Sequence, residues 1–280
     1  MVLRKGSRGY QVRLLQTKLR NLGYHIGIDS SFGNGTKSVV KAYQKDNGLK
    51  IDGIYGPMSQ RTIKVAQRMK YQEFWISKEI QVVKMRRSIT KVDLINPKRM
   101  TVKSMWRSLK TKPKLLINGG LFDMKTGTDL NVAYNDKTSF GSGYYSKLGL
   151  KIDYYGKVSF GPHESKDIDF LGGSPILMMN GKYVNEYPGL DYGFINYKHP
   201  RIGVGANDAY MFMIVYNGRS KWRRWYGASL IQFAKVFDDL GCTDAMNLDG
   251  GGSVSVINKV GLYFKVGYRK VANMLAFYQD

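Results

Sequence analysis

Two spacings of apolar residues divide the chain. In the first seventy residues, Val12, Leu15, Leu19 and Leu22 recur at every third or fourth position, and the stretch Val39–Tyr43 has the same spacing. Apolar residues at this spacing predict amphipathic helices. We therefore expect a compact bundle of about three helices in this region.

The pattern changes after Ile80. Short apolar runs separated by Gly, Asn and Asp predict strands. Residues Ser229 to Leu240 predict one helix, which Gly241 would end. The chain is thus predicted to be α+β, with a small three-helix bundle at residues 1–70 and a larger mixed α+β domain at residues 71–280. The predicted strands are Ile80–Met85, Lys114–Ile117, Leu148–Tyr154, Ile176–Met179, Tyr210–Tyr216 and Val254–Ile257.

A short pattern occurs twice in the first domain, 23 residues apart. Asp29 and Asp52 each precede an aromatic-Gly turn, and Thr36 and Ser59 then stand where a hydroxyl would cap a helix. This region resembles the peptidoglycan-binding domain that accompanies many wall-lytic enzymes, although Ser30 replaces the usual Gly. The resemblance implies a binding module without catalysis. It is carried by Lys5–Gly9, Val12, Leu15-Gln16, Leu19, Leu22–Tyr24, Phe32-Gly33, Thr36, Tyr43-Gln44, Gly48-Leu49 and Asp52–Gly56.

Composition narrows the protein class. Hydrophobic residues make up 43% of the chain, enough for a well-filled core, and the single Cys242 excludes an internal disulfide. No apolar run approaches the roughly 18 residues that span a bilayer, and the N-terminus has no signal-peptide core. The formal net charge is +23, and residues 1–70 hold 14 Lys and Arg against 3 Asp and Glu. Such a field attracts polyanions, either nucleic acid or a wall rich in teichoic acid.

Four polar, glycine-containing loops adjoin predicted strands in the second domain. Asp249 precedes three consecutive glycines and then Ser253, an arrangement that suits a sharp turn or close approach to a ligand. If the loops meet, they form a pocket with carboxylates, carboxamides and guanidinium groups, which suits cleavage of a phosphate-linked sugar. The loops are Ile117–Asp123, Gly172–Ile176, His199–Gly205 with Asn217–Arg219, and Asn247–Ser253.

These four loops resemble those of the phosphodiester glycosidase family, whose animal member is the uncovering enzyme. The resemblance runs from about Lys114 onward and implies cleavage between a sugar anomeric carbon and a phosphodiester oxygen. The chain departs from the family where Gly119 and Leu121 replace Ala and Phe, Ile202 replaces Thr, and Asn217 replaces Asp.

The resemblance and the chemistry together give candidate roles. Asp249 is the predicted proton-handling carboxylate and Asp123 the second carboxylate. His199 is a further candidate acid or base. No spacing demands a metal, so no cofactor is predicted, although a divalent cation such as Ca²⁺ at Asp249 is compatible with the carboxylate. The predicted substrate-binding residues are Asn118, Gly119, Ser174, Arg201, Asn217, Arg219, Asn247, Gly250, Gly251 and Ser253.

Other functions remain as alternatives. Only three histidines occur, His25, His163 and His199, without the spacing of a zinc hydrolase. A peptidoglycan glycosidase and a non-catalytic wall-binding protein stay open. The expected partner is the bacterial cell wall, with its peptidoglycan and anionic polymers, rather than nucleic acid or a membrane, and Lys221–Tyr226 is interpreted as a sugar-stacking loop. Without a signal peptide, we expect release from the cytoplasm to the wall, as for a phage or prophage endolysin. The sequence specifies no oligomeric state.

Overall fold

The structure is a computed structural model. It describes residues 2–22, 24, 26–68, 71–130, 133–135, 138–139, 148–164, 167–173, 175–184, 187, 190–258, 263–265 and 268–279. The chain divides into two compact units. The first unit comprises Met1–Gln72, Met85–Ile89 and Asp208–Tyr210, and the second comprises Glu73–Lys84, Thr90–Asn207 and Met211–Asp280.

Among the described residues, helices come first and a mixture of strands and helices follows, which confirms the α+β prediction. Among them, no helix is both long and apolar enough to cross a bilayer. The helices are α1 (Tyr10–Asn21), α2 (Asn34–Asp46), α3 (Pro57–Arg68), α4 (Val102–Ser108), α5 (Tyr192–Asn196) and α6 (Leu230–Asp239). The strands are β1 (Tyr71–Trp75), β2 (Ile80–Arg86), β3 (Thr90–Ile95), β4 (Leu115–Asn118), β5 (Ala133–Asn135), β6 (Thr138–Ser139), β7 (Leu148–Ile152), β8 (Val158–Pro162), β9 (Asp169–Gly172), β10 (Ile176–Met179), β11 (Lys182–Tyr183), β12 (Arg201–Ala206), β13 (Tyr210–Tyr216), β14 (Asp244–Asn247), β15 (Val256–Asn258), β16 (Tyr263–Lys265) and β17 (Met274–Gln279).

The predicted apolar stripe forms the core of the first unit. Val12, Leu15 and Leu19 lie on the buried face of α1, each at most 1% exposed. Val40 and Tyr43 of α2 are fully buried against them. Burying one such side chain stabilises a fold by about 1.5–3 kcal/mol relative to exposing it, so the stripe accounts for much of the bundle's stability.

A buried glutamine organises each copy of the repeated pattern. The Gln16 side-chain amide donates to the Asp29 carboxylate at 2.7 Å and to the Thr36 hydroxyl at 3.1 Å. The Gln44 amide donates to the Asp52 carboxylate at 2.8 Å. Because a buried polar group left without a partner costs about 1–3 kcal/mol, each glutamine fixes the turn that carries its aspartate.

The hydroxyl residues of the repeat do not have the predicted capping role in α2. The residue that precedes α2 is Gly33, and no side chain caps this end. Thr36 lies in the first turn of α2 instead, and its hydroxyl donates to the Ser31 carbonyl at 3.2 Å. The predicted cap is therefore wrong for Thr36, whose hydroxyl bonds to Gln16 and Ser31 rather than to the helix end.

The second unit contains a sheet of seven described strands in the order β1-β2-β13-β12-β14-β10-β11. Strand β12 is antiparallel to both of its neighbours, with Arg201 opposite Tyr216 of β13 and Gly203 opposite Asn247 of β14. The beginning of β12 therefore lies beside the ends of β13 and β14. This register brings the polar segments before β12, after β13 and after β14 to the same end of the sheet.

Helix α6 packs on this sheet and begins and ends as predicted. Ser229 forms a capping box at its start, and Gly241 has φ +74° just beyond its end. A Cβ atom at Gly205 of β12 would lie 2.6 Å from the Phe237 ring. The glycine therefore lets the helix approach the strand closely, which sets the packing distance beneath the polar loops.

Two further sheets, each with five described strands, complete the second unit, in the orders β16-β15-β4-β17-β3 and β6-β5-β9-β7-β8. All four residues of β4 are buried, and the strand pairs antiparallel with β15 and β17. It ends at Asn118, so the Asn-Gly-Gly loop leaves from the centre of this sheet.

Candidate active site

A cavity of about 190 Å³ opens at one end of the central strands of the seven-stranded sheet, where β12 begins and β13 and β14 end. Segments far apart in the sequence meet there because of the antiparallel register described above. The convergence of the loops after β13 and β14 with the start of β12 is therefore as predicted. The cavity is lined by Phe194, His199, Pro200, Arg201, Arg219, Asp249, Gly250, Gly251, Gly252 and Arg269.

The triple glycine lies directly against the start of β12. The Gly251 N–H donates to the Pro200 carbonyl at 2.9 Å. A Cβ atom at Gly250 would lie 2.6 Å from the same oxygen, and Gly251 has φ +59°, a conformation that glycine adopts without strain. This close approach holds Asp249, the preceding residue, at the cavity wall.

The loop after β4 fixes the backbone of Asp249. The Asp249 N–H donates to the Gly119 carbonyl, and the Asp249 carbonyl accepts from the Asn118 amide, both at 2.8 Å. Asn273, fully buried before β17, in turn accepts from the Gly120 N–H at 2.7 Å through its side chain and from the Gly119 N–H at 2.9 Å through its backbone. Asp249 is thus held from two sheets at once.

The environment of Asp249 favours its protonated form. Burial raises the pKa of the Asp249 carboxyl from 3.8 to about 6, and the neighbouring Ser253 hydroxyl, the Arg269 charge and the Gly250 N–H act in the opposite direction. A carboxyl group that titrates near neutrality can exchange a proton with a substrate. Asp249 is therefore the strongest candidate for a catalytic acid or base among the cavity residues.

Two exposed arginines lie next to residues Gly250–Gly252, called here the glycine loop. A Cβ atom at Gly251 would lie 3.3 Å from a guanidinium nitrogen of Arg219, and one at Gly252 would lie 3.0 Å from the Arg269 guanidinium. Guanidinium groups hold phosphate oxygens through paired hydrogen bonds. The two side chains give the cavity a positive rim beside the Asp249 carboxyl group.

Arg201 lines the cavity in a different way from the predicted one. Its guanidinium is 1% exposed, and its described hydrogen bonds go to the carbonyl oxygens of Ala228, Phe194 and Tyr197. Burial lowers its pKa to about 10. Nε and Nη2 of Arg201 donate to backbone carbonyls of α5, of Tyr197 and of the segment before α6, which positions these segments, and the role of Arg201 in substrate binding stays a prediction.

His199 stands at the cavity wall with its ring next to Arg219, whose Nη2 lies 3.5 Å from the His199 Nδ1. Burial lowers the pKa of His199 from 6.5, and the positive charges of Arg201 and Arg219 lower it further. Its imidazole is therefore predominantly neutral at neutral pH. A neutral imidazole can accept a proton, and the same cavity thus contains a second titratable group beside Asp249.

Three predicted sugar-binding carboxamides bond to the backbone instead. Asn118 bridges the loops, as described above, and accepts from the Ser255 N–H at 2.9 Å. Asn247 is fully buried and donates to the Leu248 carbonyl. Asn217, which stands where the related family has Asp, donates to the Glu79 carbonyl. None of the three is among the residues that line the cavity, and their buried amides hold loops in place; substrate binding by them stays a prediction.

Asp123 and Ser253 are not among the residues that line the cavity. The Asp123 carboxylate accepts from the N–H groups of Lys125 and Thr126, which lower its pKa, in a turn outside the cavity. The structure does not place Asp123 among the residues that line this cavity, and its catalytic role stays a prediction. Ser253 is buried beside Asp249. Ser174 lies outside the described residues.

Sequence reasoning missed Arg269, Asn273 and Phe194. In a chain with 44 Lys and Arg, Arg269 has no neighbouring pattern that distinguishes it. Asn273 had one usable signal, a polar residue within the apolar run Val271–Phe277. Among the residues that the structure describes, no cluster of three or more His, Cys, Asp or Glu side chains could hold a metal ion.

Comparison with known proteins supports two distinct regions. A model described as phosphodiester glycosidase matches residues 111–278, and one described as putative peptidoglycan binding domain matches residues 8–61. N-acetylmuramoyl-L-alanine amidase CwlL of Bacillus licheniformis is 42% identical over 65 residues, which are 22% of this chain and 18% of that protein. A probable N-acetylmuramoyl-L-alanine amidase of the same species is 39% identical over 70 residues, 24% of this chain and 20% of that protein. The chain spans about a fifth of the length of these curated relatives.

Solved structures share the fold of the second region. The catalytic domain of zebrafish N-acetylglucosamine-1-phosphodiester alpha-N-acetylglucosaminidase, auto-inhibited by its pro-peptide, aligns with a TM-score of 0.57 at 17% identity over 75% of this chain and 82% of that one. A hypothetical protein from Synechocystis aligns with a TM-score of 0.50 at 15% identity, over 75% and 61% of the two chains. With a family model that covers more than half of its length, and a peptidoglycan-binding domain at residues 8–61, the chain belongs to the phosphodiester glycosidase family.

Proposed function

We propose that this protein is a wall-targeted glycosidase that hydrolyses the bond between a sugar anomeric carbon and a phosphodiester oxygen in an anionic wall polymer. The first unit would bind peptidoglycan, and the cavity of the second unit would perform the hydrolysis. The match to a peptidoglycan-binding model and the likeness to wall amidases support the first part. The family and the chemistry of the cavity support the second.

One observation carries the proposal: a carboxyl group with a pKa of about 6 shares a cavity with two exposed arginines. The carboxyl group can supply a proton near neutral pH, and the guanidinium groups of Arg219 and Arg269 can hold phosphate. A phosphate-linked sugar needs both functions at adjacent atoms.

In the proposed reaction, Arg219 and Arg269 bind the phosphate, and protonated Asp249 donates its proton to the phosphate oxygen that leaves the anomeric carbon. Water attacks that carbon as its bond to the oxygen breaks, and the neutral His199 imidazole accepts the proton that the water loses. The products are a reducing sugar and a phosphomonoester. Exchange with solvent then returns both side chains to their starting protonation states.

The decisive test is mass analysis of the soluble products that wild type and Asp249→Asn release from purified walls with and without teichoic acid. A methyl phosphodiester of N-acetylglucosamine 1-phosphate serves as a small substrate. We expect wild type to release sugar from teichoic-acid walls and from the small substrate, and Asp249→Asn to be slower by at least about 100-fold, the lower range for loss of acid–base catalysis.

The alternatives give different results. Equal release from walls with and without teichoic acid would favour a peptidoglycan glycosidase. Wall binding without any released product, unchanged in Asp249→Asn, would favour a non-catalytic wall-binding protein and contradict the proposal.

A further inference from the structure

The loop Ser220–Tyr226, called here the aromatic loop, continues directly from the cavity. It follows Arg219, and two backbone hydrogen bonds between Ser220 and Trp225, both 3.0 Å long, close it. It ends before Gly227, whose missing Cβ would lie 2.2 Å from the His199 carbonyl oxygen. Both ends of the aromatic loop are thus attached to cavity-lining segments.

The aromatic loop exposes large rings among positive charges. Trp222 is 97% exposed and Tyr226 is 60% exposed. The guanidinium of Arg223 lies over the Trp225 ring, 4.7 Å from its centroid. The loop also carries Lys221 and Arg224 but no Asp or Glu. An exposed ring of this size is costly to hydrate and is typical of an interaction surface.

We infer that the aromatic loop is a polymer-binding subsite, in which Trp222 and Tyr226 stack on the sugar or polyol units and Arg223 and Arg224 hold the phosphates of an anionic wall polymer. The inference rests on the proposed function and adds to it that the substrate is a chain extending past the cavity. Stacking on Trp225 orients Arg223 in advance, which reduces the side-chain freedom lost on binding a phosphate.

Charge and position together favour this occupant. Guanidinium groups along one loop match phosphates that repeat along one chain, and the rings between them match the units that separate those phosphates. Single-stranded nucleic acid offers similar groups. The cavity beside the loop and the peptidoglycan-binding domain of the same chain favour the wall polymer.

A binding measurement tests the subsite without catalysis. Titration of purified poly(glycerol phosphate) teichoic acid into the full-length Asp249→Asn protein would be followed by calorimetry. Adding Trp222→Ala, or Arg223→Gln with Arg224→Gln, should weaken binding about tenfold. Matched controls are Tyr154→Ala, at an 81% exposed ring elsewhere in the second unit, and Arg107→Gln with Lys110→Gln, which removes the same charge from another exposed site. Neither control should change the affinity more than about twofold.

Kinetics separates this inference from the proposed function. With Asp249 intact, Trp222→Ala should lower kcat/KM about tenfold on a teichoic acid whose repeating unit is joined through sugar 1-phosphate, which contains the scissile bond, and less than about twofold on the methyl phosphodiester. Equal affinity in the loop and control variants, or equal losses on both substrates, would overturn the subsite. Binding of single-stranded DNA as tight as that of teichoic acid, and equally dependent on Trp222, would also overturn it. If wild type cleaves neither substrate, the proposed function fails, while the binding measurement still decides on the subsite.

Discussion

At the scale of single residues, burial of Asp249 stabilises its protonated form and makes the folded protein less stable whenever that carboxyl group is ionised. Its pKa is about 6 in the folded state against an ordinary 3.8. Between these values the folded state binds more protons than the unfolded state, so stability falls as the pH rises through this window. Above pH 6 the whole destabilisation is present.

Asp249→Asn removes the ionisable group and should therefore be more stable than wild type near neutral pH. Because it also removes the proposed proton donor, it should be at least about 100-fold slower. We expect its free energy of unfolding to exceed that of wild type by about 3 kcal/mol at pH 8, the free-energy equivalent of a pKa of about 6 instead of 3.8, and by little at pH 4. Urea unfolding at both pH values measures this. A variant that is less stable than wild type at pH 8 would contradict the burial-raised pKa.

Asp123→Asn should show the opposite pH dependence. Two backbone N–H groups stabilise the ionised Asp123 carboxylate and lower its pKa, so its contribution to stability is present at neutral pH and lost on acidification. The variant should be less stable than wild type at pH 8, converge with it at low pH, and retain full activity on the methyl phosphodiester. A loss of activity as severe as in Asp249→Asn would instead support Asp123 as a second catalytic carboxylate.

The residue types alone predicted some of the site. Asp249 was predicted from its position between a strand and three glycines, which is a local pattern. The backbone hydrogen bonds of Asn118 and Asn247 could not be predicted, because an amide that binds a sugar hydroxyl and one that binds a backbone carbonyl have the same local sequence. Arg269 was missed because its approach to Gly252 depends on the packing of residues distant in sequence.

At the scale of elements, side-chain periodicity determined what could be predicted. Helix α6 and strands β10 and β13 were predicted close to their observed bounds, the helix because its apolar residues recur at helical spacing and the strands because each is a short continuous apolar run. Strand β12 was not predicted, because Gly203 and Gly205 interrupt its run of apolar residues. Those glycines are required by the helix packed above them, a contact that no local pattern contains.

The left-handed conformation of Gly251 in the glycine loop gives a prediction at this scale. Gly251→Ala should cost about 1–2 kcal/mol, because a Cβ atom disfavours the left-handed conformation, and should also displace Arg219 and reduce kcat/KM. Gly241→Ala is the matched control: it has a similar φ of +74° with nothing within 4 Å of the added Cβ. It should lose similar stability in urea unfolding but no activity. Equal activity in both variants would contradict a role for Arg219 in the proposed reaction.

At the scale of the whole molecule, the excess of basic residues provides an attraction that does not depend on either site. A formal net charge of +23 draws the protein to any polyanionic surface, and salt screens that attraction. Specific peptidoglycan binding by the first unit would depend less on salt. The two contributions can therefore be distinguished by ionic strength.

We expect the affinity for teichoic-acid walls to fall about tenfold or more between 50 and 500 mM NaCl, as exposed charges become screened. Affinity for walls stripped of teichoic acid should change much less. Sedimentation of labelled protein with each wall preparation measures both. The same salt dependence on both walls would show that charge alone accounts for the binding.

The attachment of Asp249 to two sheets also determines when the candidate site can form during synthesis. The loop that holds Asp249 leaves β4, and β4 lies between β15 and β17, with Asn273 binding the loop just before β17 begins. Until residues 273–279 have been translated and have left the ribosome, nothing completes that sheet. A chain that stops before Asn273 should therefore leave the proposed site incomplete and release no sugar from the methyl phosphodiester.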